Sequence, residues 1–257
     1  MQDSERREVL EFAVEAAQLA GTFTLGFFNA NPPVELKADR SPVTAADRGA
    51  EELLRKRIEH AFPTHGIVGE EHGTKVGTEP GRWILDPIDG TYSFICGVPL
   101  FAVLVGFEWD GEMVAGVIHM PALSETVYAA RGLGCWWNGR RARTSTVSTL
   151  AEARLVYGGA RWLQQCNRGP ELQRLLDACH KDRGWCDAYG YALVATGRAE
   201  ISLDPVMNLW DTAALLPVVT EAGGRLTDWQ GTPTHTAPEA LATNGILHDQ
   251  VLATLRG

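Results

Sequence analysis

Residues 83–97, WILDPIDGTYSFICG, constrain this chain more than any other segment. They read as a short apolar strand that ends in two carboxylates, Asp86 and Asp89, and then turns through Gly90 and Thr91 into a helix start. Pro87 stiffens the turn between the acids, and Gly90 lets the backbone come close to a ligand. Two acids three positions apart on such a turn can converge on hard divalent cations. The amides of Gly90 and Thr91 are then placed to take a phosphate at the helix N-terminus. Metal-assisted hydrolysis of a phosphate ester needs both kinds of site side by side. Asp-Pro and Asp-Gly are also ordinary turn chemistry, so this string alone leaves a plain turn open.

The bulk properties narrow the choice. A chain of 257 residues can bury a sizeable core, as one large domain or two closely packed lobes. No repeat, low-complexity tract or flexible linker interrupts it, so one compact unit over 1–257 is expected, with lobes near 1–150 and 151–257. No apolar run is long enough to span a bilayer, and MQDSERREVL lacks the layout of a signal peptide. A cytoplasmic location without a membrane partner is the expectation. The net charge of −9 argues against nucleic acid as a partner. It also repels an anionic substrate, a difficulty that bound Mg²⁺ would remove locally. Cys96, Cys135, Cys166, Cys179 and Cys186 are odd in number and scattered, which fits reduced structural thiols. The histidines form no HxxxH or HExxH, so a zinc centre or a cysteine nucleophile is disfavoured.

Apolar periodicity predicts helices over residues 4–28 and 45–61, separated by Pro32-Pro33 and a polar loop over 37–44. Ile67-Val68-Gly69 reads as a short strand running into Glu70 and Glu71. FAVLVGFEW, MVAGVIHM and ETVYAAR read as an antiparallel set punctuated by Asp110-Gly111 and Pro121-Ala122, followed by a loop over 132–139. The second half alternates strands at 155–157 and 199–203 with helices at 170–180, 188–196 and 209–222, the last stopped by Gly223-Gly224. The pattern predicts an α+β fold, a larger N-terminal lobe with an antiparallel sheet and a smaller C-terminal α/β lobe.

A metal site needs more than two acids, and Glu70 and Asp211 both lie where elements begin or end. Asp211 has an alternative reading as a first-turn helix carboxylate, worth about 0.3–1 kcal/mol at an exposed site. Asp47 in SPVTAAD has the same alternative. The four blocks SPVTAAD (41–47), GEE (69–71), DPIDGT (86–91) and LWDTAA…EAGG (209–224), taken in this order and spacing, resemble the inositol monophosphatase family of lithium-sensitive, Mg²⁺-dependent phosphatases. The resemblance covers nearly the whole chain and implies a layered α-β-α-β-α sandwich, two to three Mg²⁺ ions per site, inhibition by Li⁺, and a homodimer. It further implies that Glu70, Asp86 and the carbonyl of Ile88 hold one ion, and that Asp86, Asp89 and Asp211 hold a second. Thr91 and Glu70 would orient the attacking water, with Asp47 paired to Thr91, while Asp89, Gly90, Thr91 and Asp211 would contact substrate. One departure stands out: Ser93 occupies a position where the family usually has Asn.

Within that family, the stretch from Asp182 to Gly224 resembles the branch that dephosphorylates histidinol phosphate in histidine biosynthesis. Asp187 and Asp204 fall at substrate-facing positions, and two carboxylates suit the cationic body of that alcohol better than a neutral polyol. Arg183 would reach the phosphate or close the pocket. Ordinary alternatives remain open: Asp204-Pro205 as a turn, Arg183 as a solvated charge, Trp185 as core. The competing functions are an inositol-1-phosphatase or broad sugar-phosphate phosphatase with the same metal site, and an inactive binding relative. The intact set of acids argues against the last.

Overall fold

The structure is a computed structural model and describes residues 1–185 and 187–257, so Cys186 lies outside the described residues. The N-terminal periodicity resolves into two helices, α1 (Asp3–Leu25) and α2 (Ala45–Ala61), joined through a small hairpin of β1 (Val34–Leu36) and β2 (Pro42–Thr44). A capping box starts α2: Asp47 at N3 accepts from the Thr44 amide at 2.8 Å, while the Thr44 side chain caps the first turn.

The central layer is an eight-stranded sheet. Its strands are β3 (Gly66–Gly69), β4 (Gly73–Lys75), β5 (Gly81–Asp89), β6 (Ala102–Trp109), β7 (Glu112–Met120), β8 (Glu125–Ala130), β9 (Gly134–Trp137) and β10 (Arg140–Arg141), in the order β10-β9-β8-β7-β6-β5-β3-β4. Every pairing is antiparallel except β3 with β5. A short helix, α3 (Thr91–Ile95), follows β5 directly. The second sheet is built from β11 (Arg154–Tyr157), β12 (Lys181–Arg183), β13 (Ile201–Asp204), β14 (Arg225–Thr227) and β15 (Ala240–Thr243), in the order β12-β11-β13-β15-β14. Its helices are α4 (Ala160–Gln165), α5 (Gly169–Ala178), α6 (Ala188–Ala195), α7 (Leu209–Thr212), α8 (Leu215–Glu221) and α9 (His248–Arg256).

Both faces of the large sheet are apolar, which forces helices onto both sides of it. Along β6, Val103, Val105 and Phe107 pack with Ala13, Ala17, Leu54 and Ile58 of α1 and α2. The alternate residues Ala102 and Leu104 pack with Tyr191, Val194, Leu215 and Val218 of α6 and α8. That helical layer also touches Val156, Leu226 and Ala242 of the small sheet. The far face of the small sheet, through Leu155, Ile201 and Leu203, buries Leu163, Leu175, Val251 and Leu255 of α4, α5 and α9. The layers therefore run α-β-α-β-α, the expected sandwich.

Two local expectations need correction. Residues 132–139 are not all loop, because 134–137 pair with β8 as strand β9 and bury Cys135. The helix expected over 209–222 is two helices, because Pro217 has no amide to bond back to Ala213 and its ring crowds that carbonyl. Strand β5 ends in the two carboxylates as expected, and the turn expected between them is a register shift within the strand. Asp86 pairs with Leu104 and Asp89 with Ala102, so three steps on β5 match two on β6. In a regular strand, residues three apart face opposite sides. The extra residue, placed where Pro87 cannot join the ladder, lets both acids turn to one side.

Two facing glycines seat the next piece. Gly106 and Gly116 are paired across β6 and β7, and a Cβ at Gly116 would lie 2.1 Å from the Ala214 carbonyl oxygen. A Cβ at Gly106 would lie 3.0 Å from Ala213 Cβ. The bare sheet surface lets the α7–α8 junction settle against it, which carries Asp211 towards the end of β5.

Candidate active site

Asp86, Asp89 and Asp211 form the centre of the site: each offers one carboxylate oxygen, and these oxygens lie within 4.8 Å of one another. Asp211 is fixed by the start of α7, where its Oδ2 accepts from the Asn208 amide at 2.6 Å and lies 3.3 Å from Asn208 Nδ2. The helix-cap reading of Asp211 and the cluster reading are thus compatible, since the cap orients the acid. Asp86 Oδ1 accepts from the Ile88 amide at 3.0 Å, and Asp89 Oδ2 from the Ala188 amide at 2.5 Å. Neighbouring residues thus hold Asp86 and Asp211, whereas Asp89 is held by the start of α6, ninety-nine positions away.

The cost of this arrangement appears in the proton affinities. Burial, followed by the charges of Glu70, Asp89 and Asp211, pushes the Asp86 carboxyl well above the ordinary range. Burial and the charges of Asp187 and Asp211 do the same to Asp89. Burial raises Asp211 to about 7, despite the opposing Asn208 amide. Like charges at this density are unfavourable without a compensating cation. An all-oxygen donor set of this kind suits a hard divalent ion rather than zinc or copper.

Glu70 stands at the edge of the cluster, in the turn between β3 and β4. Its Oε1 accepts from Lys37 Nζ at 2.6 Å, and the same ammonium reaches Glu71 Oε1 at 2.5 Å. Burial works to lower the Lys37 pKa, but the two carboxylates win and hold the ammonium above its ordinary range. The sequence showed only a polar loop here; no local pattern announces a pairing across thirty-three positions. Thr91, at the start of α3, has its hydroxyl 3.0 Å from the Ile88 carbonyl and 3.3 Å from Asp47 Oδ1. Asp47 is buried, and burial raises its pKa against the lowering hydrogen bonds from Thr44. Gly90, between Asp89 and Thr91, has φ +83°, a left-handed conformation that a Cβ would strain.

Next to the acids lies a pocket of about 80 Å³ lined by Asp89, Asp187, Asp204, Asp211, Trp162 and Met207, among others. Asp204 is 3% exposed; its Oδ2 accepts from the Tyr191 hydroxyl at 3.0 Å, while Oδ1 makes no hydrogen bond of standard geometry. The Gly158 amide still lowers its pKa slightly from a poorer position, but burial and the Asp187 charge dominate and lift it to about 7. A larger groove of about 580 Å³ between α1 and β8–β9 holds none of these carboxylates. Arg183 stands apart, on edge strand β12: it is exposed, donates to the Asp182 carbonyl at 2.7 Å, and does not line the pocket. Trp185 is 45% exposed rather than core. Trp162 and Met207 had no role in the sequence reading, because α4 and the chain after β13 reach the pocket only through the packing of the second sheet. Cys96, Cys135, Cys166 and Cys179 are free thiols, and none lines the pocket.

A model of the inositol monophosphatase family matches residues 5–257. A histidinol-phosphatase of Chlorobaculum parvum is 42% identical over 223 residues, covering 86% of each chain. A histidinol-phosphatase of Mycobacterium tuberculosis is 38% identical, covering 86% of this chain and 87% of the relative. An IMPase of Thermotoga maritima superposes with a TM-score of 0.89 at 31% identity, covering 97% of both chains. Among the described residues, no helix is long and apolar enough to cross a membrane.

Proposed function

The chain belongs to the inositol monophosphatase family and is a phosphatase; from that premise we propose that it hydrolyses histidinol phosphate to histidinol and phosphate, with Mg²⁺, in histidine biosynthesis. The observation that carries the substrate choice is the pocket in which Asp204, buried and raised to about 7, joins Asp187 beside the acid cluster. An alcohol bearing an ammonium and an imidazole would give Asp204 Oδ1, which makes no standard hydrogen bond, a cationic partner beside the Asp187 charge, whereas a neutral polyol would leave the buried Asp204 charge uncompensated. The names of the two histidinol-phosphatases above support the same choice.

In this reading Glu70, Asp86, Asp89, Asp211 and the Ile88 carbonyl would hold the metal ions. Bound there, divalent ions would supply Lewis acidity to the phosphoryl group and lower the pKa of water. The remaining work belongs to the chain. The Gly90 and Thr91 amides bind the phosphoryl oxygens and stabilise charge that develops on them. The Thr91 hydroxyl has one proton and two acceptors, Asp47 Oδ1 and the Ile88 carbonyl. Donating that proton to Asp47 leaves its own oxygen to accept from the attacking water and orient it. Asp187 and Asp204 pair with the cationic alcohol, and the Trp162 face packs against it. The reading includes a homodimer, which sedimentation at working concentration tests, and a cytoplasmic location.

The experiment is a panel of purified substrates with Mg²⁺. Histidinol phosphate should have the highest kcat/KM, above inositol-1-phosphate and simple sugar phosphates. A preference for inositol-1-phosphate would overturn the substrate choice and leave the phosphatase standing.

A further inference from the structure

Glu51, in the second turn of α2, is 0% exposed although it is a carboxylate. Such burial calls for hydrogen-bond partners, and they come from the turn that carries Glu70. Glu51 Oε2 accepts from the Glu71 amide at 2.6 Å, and Oε1 lies 3.1 Å from the His72 amide. Arg55, one helical turn on, donates to the same Oε1 from Nε at 2.7 Å and reaches the Gly73 carbonyl with its other end. One carboxylate and one guanidinium thus tie α2 to residues 71, 72 and 73. Gly69, on the other side of Glu70, completes the fit: a Cβ there would lie 2.0 Å from Glu51 Oε1. The turn has only three residues between β3 and β4, so fixing two of its amides fixes where Glu70 leaves the backbone.

We infer that Glu51 is a positioning residue of the metal site: it sets the Glu70 turn from behind, and metal affinity depends on it although it touches no metal. The inference rests on the reading of Glu70 as a metal ligand. Outer partners that orient a ligand typically change metal affinity by about 10–100-fold when lost. Glu51→Gln keeps the volume but turns an NH₂ group towards an amide donor, and Gly69→Ala displaces the carboxylate without changing it.

The test is Mn²⁺ binding to the purified chain, followed through the loss of the free-ion electron-spin resonance signal. Circular dichroism confirms folding of each variant. Both variants should weaken Mn²⁺ binding by about tenfold or more. Glu51→Asp, which keeps the charge with a shorter reach, should fall between them and wild type and serves if either variant fails to fold. In the activity assay the half-saturating Mg²⁺ concentration should rise, with kcat recovering at saturating metal. A merely structural defect would depress kcat at every metal concentration. Mn²⁺ affinity within about twofold of wild type in a folded Glu51→Gln or Gly69→Ala chain would overturn the inference. A Glu70→Gln control separates the two ideas: if it binds Mn²⁺ normally, the ligand reading of Glu70 fails, and the inference with it. If Glu70→Gln loses binding while Glu51→Gln keeps it, only the inference fails.

Discussion

Replacing Asp204 with Asn should make the metal-free protein more stable at alkaline pH while harming its proposed substrate. In the folded chain the Asp204 carboxyl is raised from 3.8 to about 7, first by burial and then by the Asp187 charge. The folded state therefore holds its proton over a pH range in which the unfolded chain has released it. Stability is unaffected below about pH 3.8, falls as pH rises towards 7, and stays reduced above it. The full penalty corresponds to about 4 kcal/mol, of which roughly 2–3 kcal/mol accrues between pH 5 and pH 8. Relaxation of the site discounts this to about 1–2 kcal/mol. Asn removes the charge and keeps an acceptor for the Tyr191 hydroxyl, which now bonds Oδ2 at 3.0 Å. In a chain of this size, 1–2 kcal/mol is about 3–6 °C in Tm. Thermal unfolding in EDTA should thus show the variant's advantage over wild type growing by about 3–6 °C between pH 5 and pH 8. The same purified variant should lose about tenfold in kcat/KM for histidinol phosphate, the worth of one charge-assisted contact. Hydrolysis of a small uncharged-alcohol phosphate should hardly change, because Asp204 is not in the three-acid cluster. A variant less stable than wild type at pH 8 would refute the electrostatic argument. An unchanged ratio of the two specificity constants would refute the contact with the alcohol.

Asp86→Asn should reduce turnover by more than about a hundredfold, beyond the usual effect of losing an outer partner, without lowering Tm in EDTA, because it removes one charge from a crowded buried cluster. Near-normal activity at saturating Mg²⁺ would count against Asp86 as the shared ligand. Li⁺ in the millimolar range and excess Mg²⁺ should both inhibit steady-state turnover by occupying the Asp211 side of the cluster after hydrolysis; an unresponsive enzyme would remove that part of the family likeness. Trp162→Ala should raise KM for histidinol phosphate several-fold with little change in kcat, since the ring lines the pocket beside the acids; equal losses on every substrate would instead mark it as structural.

How much of this protein its sequence determined depends on the range of the interactions concerned. Helix α2 spans 45–61 as its pattern indicates, because a capping box, an apolar face and Pro63 all act within a few residues. The antiparallel run β6–β8 was legible for the same reason, through apolar runs punctuated by two turns. The break before Pro217 was also local, but the apolar run around it masked the missing amide. The site divides along the same line. Its acids were visible as carboxylates at element ends, and four blocks in order gave the family. Their convergence was not visible, since regular strand geometry would send Asp86 and Asp89 to opposite faces and only pairing with β6 creates the extra residue. The salt bridge from Lys37 to Glu70 and the hold of Glu51 on the Glu70 turn join side chains from separate segments, and no local propensity encodes them. The pocket beside the acids is more distant still, assembled from α4, α6, β13 and α7 once the sandwich closes. Local chemistry chose the elements and supplied the acids. Packing decided which side chains meet, because a contact across the fold depends on every layer between its partners.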